Sequence, residues 1–300
     1  MRMAGANRAL RDMKSENSRV VRAWRIVWDA TNRFLLNDNW AIASDIALAM
    51  LLSLFPFLII LTAVASMVGS EQLAREAADL ILATWPPQVA EPLANEVMSV
   101  LTGQRRDLLT IGSVLALVFA SNAVVSIRIG LNRAYGAPET RSWLLRRFES
   151  VLFVVLGTAV LLSLAFLIVL GPIIWRAVSA FIPALAPFST VVTALRFGVA
   201  TFVIVSALTI AHFWLPAGWR RMRDIWPGII ITLVLWIGTG FAFGWYLDGF
   251  ATNYVTTYAG LATGMIALVF LYFSAAAFLF GGELNAAISR ARAARESQDN

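Results

Sequence analysis

The sequence predicts an all-α integral membrane protein with six transmembrane helices. An extracytoplasmic helical hairpin joins the first two, and a cytoplasmic amphipathic helix lies at the N-terminus. Three observations carry this reading. The 300 residues are 59% hydrophobic and 14% charged, with a mean hydropathy of +0.73, far from the balance of a soluble domain. Ile46 to Val68 is a run of apolar and small residues without a charge, and as a helix it is about 34 Å long against a hydrocarbon core of about 30 Å. Of the 24 Lys and Arg, nineteen fall in segments on one side of the expected membrane, four on the other, and Arg196 lies within a span. That asymmetry places both termini in the cytoplasm.

Residues 1–39 form a cytoplasmic segment, polar at its start. From Arg19 to Leu36 the pattern turns helical, with Val20, Trp24, Val27 and Trp28 on one face and arginines largely elsewhere, as in a helix resting on an anionic membrane surface. A solvated helix with incidental tryptophans is the alternative. The segment is too long for a signal peptide, so the first span is expected to remain as an anchor.

The membrane domain covers 40–288, with spans at about 42–69, 108–130, 148–171, 190–214, 225–247 and 258–287. The first span contains Asp45 near its mouth and Pro56 in its middle, and the proline leaves a carbonyl one turn earlier without its helical donor, a kink signal. Residues 70–107 are polar with two helical stripes separated by Pro86-Pro87, which reads as an acidic hairpin forming a lid outside the bilayer, or as a purely structural cap. Gly171-Pro172 closes the third span. Trp214, Trp219, Trp226 and Trp245 fall at expected interfaces. Residues 289–300 form a basic cytoplasmic tail.

Several chemistries are excluded by residue type. There is no cysteine and His212 is the only histidine, so thiolate metal sites, cysteine nucleophiles and disulfides are absent. No Walker A, HExxH or Gly-x-Ser-x-Gly pattern occurs. A metal-dependent nuclease needs convergent carboxylates or histidines beside a basic surface, and the cytoplasmic loops between spans supply only Glu139, Glu149 and Asp224 as acids. The expectation is therefore no enzyme, no catalytic residue, no metal, no cofactor and no nucleic-acid partner. Gly238 to Gly244 is glycine-rich inside a span, where helix packing, within one chain or between two copies, is the expected role.

Five motifs in order resemble the YihY/BrkB family of bacterial inner-membrane proteins: Leu52-Ser-Leu-Phe-Pro-Phe57, Leu131-Asn-Arg-Ala-Tyr-Gly136 with Glu139-Thr-Arg-Ser-Trp143, Trp226-Pro-Gly228, Asn253-Tyr-Val-Thr-Thr-Tyr-Ala-Gly260, and Gly282-Glu-Leu-Asn-Ala286. The resemblance spans about residues 20 to 290. Asp45 departs from the uncharged residue or histidine expected there. The resemblance implies six helices, cytoplasmic termini and residence in the bacterial inner membrane. Members are described as candidate transporters, as serum-resistance factors, or in relation to export of lipopolysaccharide precursors; some are labelled ribonuclease BN.

Ionisable and amide groups at membrane depth define the candidate site. Asp45, Asn122, Arg128, His212, Glu283 and Asn285 are expected toward the cytoplasmic side as a polar vestibule, with Arg128 paired to Glu283 or Asp45. Arg133, Arg141, Tyr254 and Tyr258 are expected headgroup or interface contacts. Snorkelling and helix locking are the competing explanation for the same residues. The leading functional expectation is a transporter or flippase of a lipid or other anionic amphiphile in envelope biogenesis, with anionic membrane lipids as partners. The alternative is a non-transporting scaffold for envelope-assembly proteins.

Overall fold

The computed structural model describes residues 20–67 and 106–297, and among them there is no strand. Helix α1 covers 20–36 and turns through Asn37-Asp38 into α2, Asn39–Met67. Asp38 takes the left-handed conformation (φ 53°) that Asn and Asp tolerate better than other side chains, so the Asn-Asp-Asn run is suited to this tight corner. Next come α3, Arg106–Tyr135, and α4, Trp143–Ala165. Of the hairpin expected over 70–107, only Arg106 and Asp107 fall within the described residues, and they open α3.

The helical path does not end at Gly171-Pro172. A π-turn at Phe166–Leu170 carries α4 into α5, Gly171–Phe181, before a 3₁₀ turn at Pro183–Phe188. Proline lacks an N–H and its ring crowds the carbonyl four residues back; the widened turn directly before Pro172 accommodates this without stopping the helix. Helix α6 is Ser189–Trp214, and α7 is Met222–Glu296.

Although α7 is helical over 75 residues, its two arms lie side by side. The Trp236 indole N–H donates to the Ser274 carbonyl at 2.9 Å and the Gly228 N–H to Asn285 Oδ1 at 2.6 Å, pairings that only an antiparallel reversal between the arms permits. Five helical stretches are long and apolar enough to cross a membrane: Val114–Tyr135, Trp143–Phe181, Ser189–Trp214, and the arms Met222–Leu247 and Gly264–Glu296 of α7. The described side chains of α2 end at Ser53, and that part is an apolar helix shorter than a span.

The core lies where α2, α3 and the arms of α7 meet, around Ile42, Ile46, Leu131, Ile225, Ile229 and Leu279. Two glycines set the approach of α3 to α7: a Cβ at Gly130 would fall 2.5 Å from Leu279 Cδ2, and one at Gly282 would fall 2.7 Å from Leu131 Cδ2. Each leucine occupies the space that the facing glycine leaves. By contrast, a Cβ at Gly238, Gly240 or Gly244 would meet nothing within 4 Å, so these glycines pack no helix within the described chain.

Burial is uneven. From residue 151 to 199, covering most of α4, all of α5 and the start of α6, none of the described residues is buried. Apolar side chains such as Val155, Leu161, Phe181, Leu195 and Phe197 face outward instead, the pattern of helices solvated by lipid.

Candidate functional site

Residues of three of the motifs, 131–143, 226–228 and 282–286, gather at the end of the bundle that carries the α1–α2, α3–α4 and α6–α7 turns. Gly136 closes α3 with φ 60°, a conformation that favours glycine, and Ser142 caps α4 by accepting from Leu145 N–H. Within the loop between them, Arg141 holds Glu139 through Nε at 2.8 Å and Nη2 at 2.9 Å. Its Nη1 reaches Glu149 at 2.8 Å, and Nη2 also donates to the Leu215 carbonyl at 2.9 Å. Asn132 continues the lacing: its amide donates to Glu139 at 3.1 Å and its oxygen accepts from the Ala217 N–H at 2.7 Å. Burial pushes the Glu139 carboxyl up, but its hydrogen bonds to Arg141 and the nearby guanidinium charge outweigh this and hold it at about 2. The same contact raises Arg141.

Arg128 is 2% exposed and does not pair with Glu283 or Asp45. Its Nη2 lies 3.3 Å from Glu149 and its Nη1 donates to the Arg146 carbonyl at 3.0 Å. The expectation failed because it matched charges by depth alone. Arg128 and Glu149 sit at matching distances on either side of the 136–142 loop, and antiparallel helices bring such positions together. Glu283, fully buried, instead accepts at Oε1 from the amides of Asn37 at 2.6 Å and Asn39 at 2.8 Å, fixing the α1–α2 corner to α7. Neither asparagine was among the expected site residues; the signal was an Asn-Asp-Asn run entering an apolar span.

Asn285 belongs to a third arrangement. Pro227 has no N–H to give to the ladder of α7, and beside it the Asn285 amide accepts from Gly228 N–H and donates to the Ile225 carbonyl at 2.9 Å. The backbones cross so closely there that a Cβ on Gly228 would lie 2.1 Å from the Gly281 carbonyl oxygen. Tyr135, 3.4 Å from Asn285, carries the Arg220 guanidinium 4.1 Å above its ring. Burial lowers Arg220.

His212 is fully buried, stacks on Phe278 with ring centroids 4.6 Å apart, and makes no hydrogen bond through either nitrogen among the described residues. Asn122 accepts from Arg147 at 3.0 Å. The expected vestibule is thus divided among separate contacts. α2 is helical through Pro56, whose side chain, like those of Tyr254 and Tyr258, lies outside the described residues.

Two of the expected residues do share an open cleft. Asp45 and Arg133 face a space of about 410 Å³ between α2 and α3, with Asp38, Ser126, Ala41, Ile42 and Ile129. The Ser126 hydroxyl donates to Asp45, and Arg133 donates to the Asn37 carbonyl at 3.0 Å. Both charge signs therefore stand beside an apolar wall on the flank of two helices of the bundle. Among the described residues, no three His, Cys, Asp or Glu side chains gather as a metal-ligand set.

The long apolar helices define a multi-pass helical membrane protein. The family model described as Virulence factor BrkB matches residues 30–300, and the chain belongs to that family. YfkH of Bacillus subtilis (strain 168), a protein whose name describes it only as ribonuclease-like, is 28% identical over 263 residues, 86% of this chain and 93% of the relative. No solved structure matches the chain.

Proposed function

We propose that this protein moves a lipid, or another amphiphile whose headgroup includes an anion, across the inner membrane as a six-span transporter or flippase, with both termini cytoplasmic. The observation that carries this is the cleft between α2 and α3. A carboxylate on a span is costly against hydrocarbon, yet Asp45 is exposed there, with Ser126 and Arg133 on the facing helix and apolar Ile42 and Ile129 beside them. Polar groups of both signs beside an apolar wall suit a molecule with a charged head and an apolar body. The first span, which this reading requires, falls within α2.

The ribonuclease-like wording attached to YfkH does not govern this proposal. The clustered carboxylates Glu139 and Glu149 are engaged by Arg141 and Arg128, which suits loop fixation rather than metal binding. We therefore assign the chain a non-enzymatic role.

The test is movement of labelled phospholipid between leaflets of liposomes containing the purified protein. Wild type is expected to accelerate movement over empty liposomes, and Asp45→Asn and Arg133→Ala to slow it by about tenfold or more at equal protein content. Both side chains are exposed, so folding is retained and is verified by gel filtration. Wild-type movement equal to that of empty liposomes overturns the lipid reading and turns attention to a scaffold for envelope-assembly partners.

A further inference from the structure

We propose that the cleft between α1 and the C-terminal arm of α7 is a binding site for the headgroup of an anionic lipid that carries more than one negative charge, such as a phosphomonoester. The cleft encloses about 720 Å³ and shares no lining residue with the one between α2 and α3. Five arginines line it, Arg22, Arg25 and Arg33 from α1 and Arg290 and Arg295 from α7, against the single carboxylate of Asp29. That carboxylate is already engaged by Arg290 at 2.8 Å and Arg33 at 3.3 Å, and burial, which pushes it up, is outweighed by these neighbours so that it stays below its ordinary value. Arg22, Arg25 and Arg295 have no ion pair among the described residues. The cleft thus presents unneutralised cations on two opposing helices.

The helix that supplies three of them identifies the ligand as lipid. On α1, Arg22, Arg25, Asp29 and Arg33 recur at helical spacing on one face. A second face is pinned to the core through Ala30 and Phe34, the latter packing edge-on against Trp40 and Phe280. The third face exposes Val20, Trp24, Val27 and Trp28, with the two indoles stacked at 6.4 Å. An open apolar flank containing two tryptophans beside a basic one is the arrangement that settles into a membrane interface. Because the core side is fixed, the arginine face of α1 borders the cleft, with Arg22 and Arg25 exposed at its rim. A phosphomonoester carries a charge of about −1.5 to −2 at neutral pH, and opposed guanidinium groups bind its oxygens in forked geometry. This site would hold whether or not the chain transports lipid.

The experiment titrates the full chain, in nanodiscs of phosphatidylcholine, with short-chain phosphatidate, short-chain phosphatidylglycerol and inorganic phosphate, by calorimetry. Phosphatidate is expected to saturate the protein, binding about fivefold more tightly than phosphatidylglycerol and about tenfold more tightly than inorganic phosphate. The double variant Arg25→Gln/Arg295→Gln weakens phosphatidate by about tenfold or more, while Arg223→Gln, which removes one exposed positive charge outside the cleft, stays within about twofold. Should the double variant lose its native gel-filtration profile, Arg25→Gln alone gives the reading, since that side chain is exposed and makes no hydrogen bond among the described residues. Inorganic phosphate binding as tightly as phosphatidate would overturn the lipid assignment in favour of a free anion. No saturable binding, or variants indistinguishable from Arg223→Gln, would overturn the site.

Discussion

Replacing Asn285 by Ala would remove the side-chain partner of the Gly228 N–H and of the Ile225 carbonyl inside a buried crossing, and losing buried hydrogen bonds of this kind costs about 1–3 kcal/mol. The variant is expected to lose at least about 2 kcal/mol in denaturant unfolding from detergent micelles. Gly228→Ala is expected to be at least as damaging, about 3 kcal/mol or more, because the added carbon meets a backbone oxygen that has no rotamer to change. Gly240→Ala, with open space around it, should stay within about 0.5 kcal/mol. A Gly228→Ala protein as stable as Gly240→Ala would mean that the arms of α7 do not cross where described. The sequence displayed both halves of this junction, Trp226-Pro-Gly228 and Gly282-Glu-Leu-Asn-Ala286, as motifs far apart in the chain. It could not display their meeting, which depends on the reversal between the arms.

Among elements, the α3–α4 and α6–α7 turns are tied by Arg141, and the carboxyl at the centre of that tie titrates abnormally. Glu139 is held at about 2, below its ordinary 4.5. A depressed carboxylate contributes stability that is fully present above the ordinary value and is lost as pH falls through the folded one. Thermal midpoints of the purified protein should therefore be flat down to about pH 5 and decline between about pH 4.5 and 2, with a shallower decline in Glu139→Gln. Equal acid slopes in the two proteins would remove Glu139 from the tie. The helices themselves were legible because lipid demands long apolar runs, and the loops because charge is expelled to their ends. The partners of Arg128 and Glu283 were not, since residues of opposite sign at one depth can pair in several ways until helix neighbours are fixed. Position relative to the intervening loop would have selected Glu149 for Arg128.

For the whole molecule, the absence of native cysteine makes topology directly measurable. Trp219 and Phe181 are 95% and 88% exposed at opposite ends of the α5–α6 unit. Single Trp219→Cys and Phe181→Cys proteins should react with a membrane-impermeant maleimide from opposite faces of sealed vesicles. Reaction of both from the same face would remove this unit from the membrane. The stretch from 151 to 199 has a mechanical consequence. Its polar attachments, Arg128 to Glu149, Arg147 to Asn122 and Arg141 to the Leu215 carbonyl, all lie at one end, while from 151 to 199 none of the described residues is buried. A beam clamped at one end is stiff near the clamp and yields at its tip. In this protein the frame of α2, α3 and α7 carries most of the described core, and the far end of the α4–α6 arm is expected to exchange its amide hydrogens faster than that frame does.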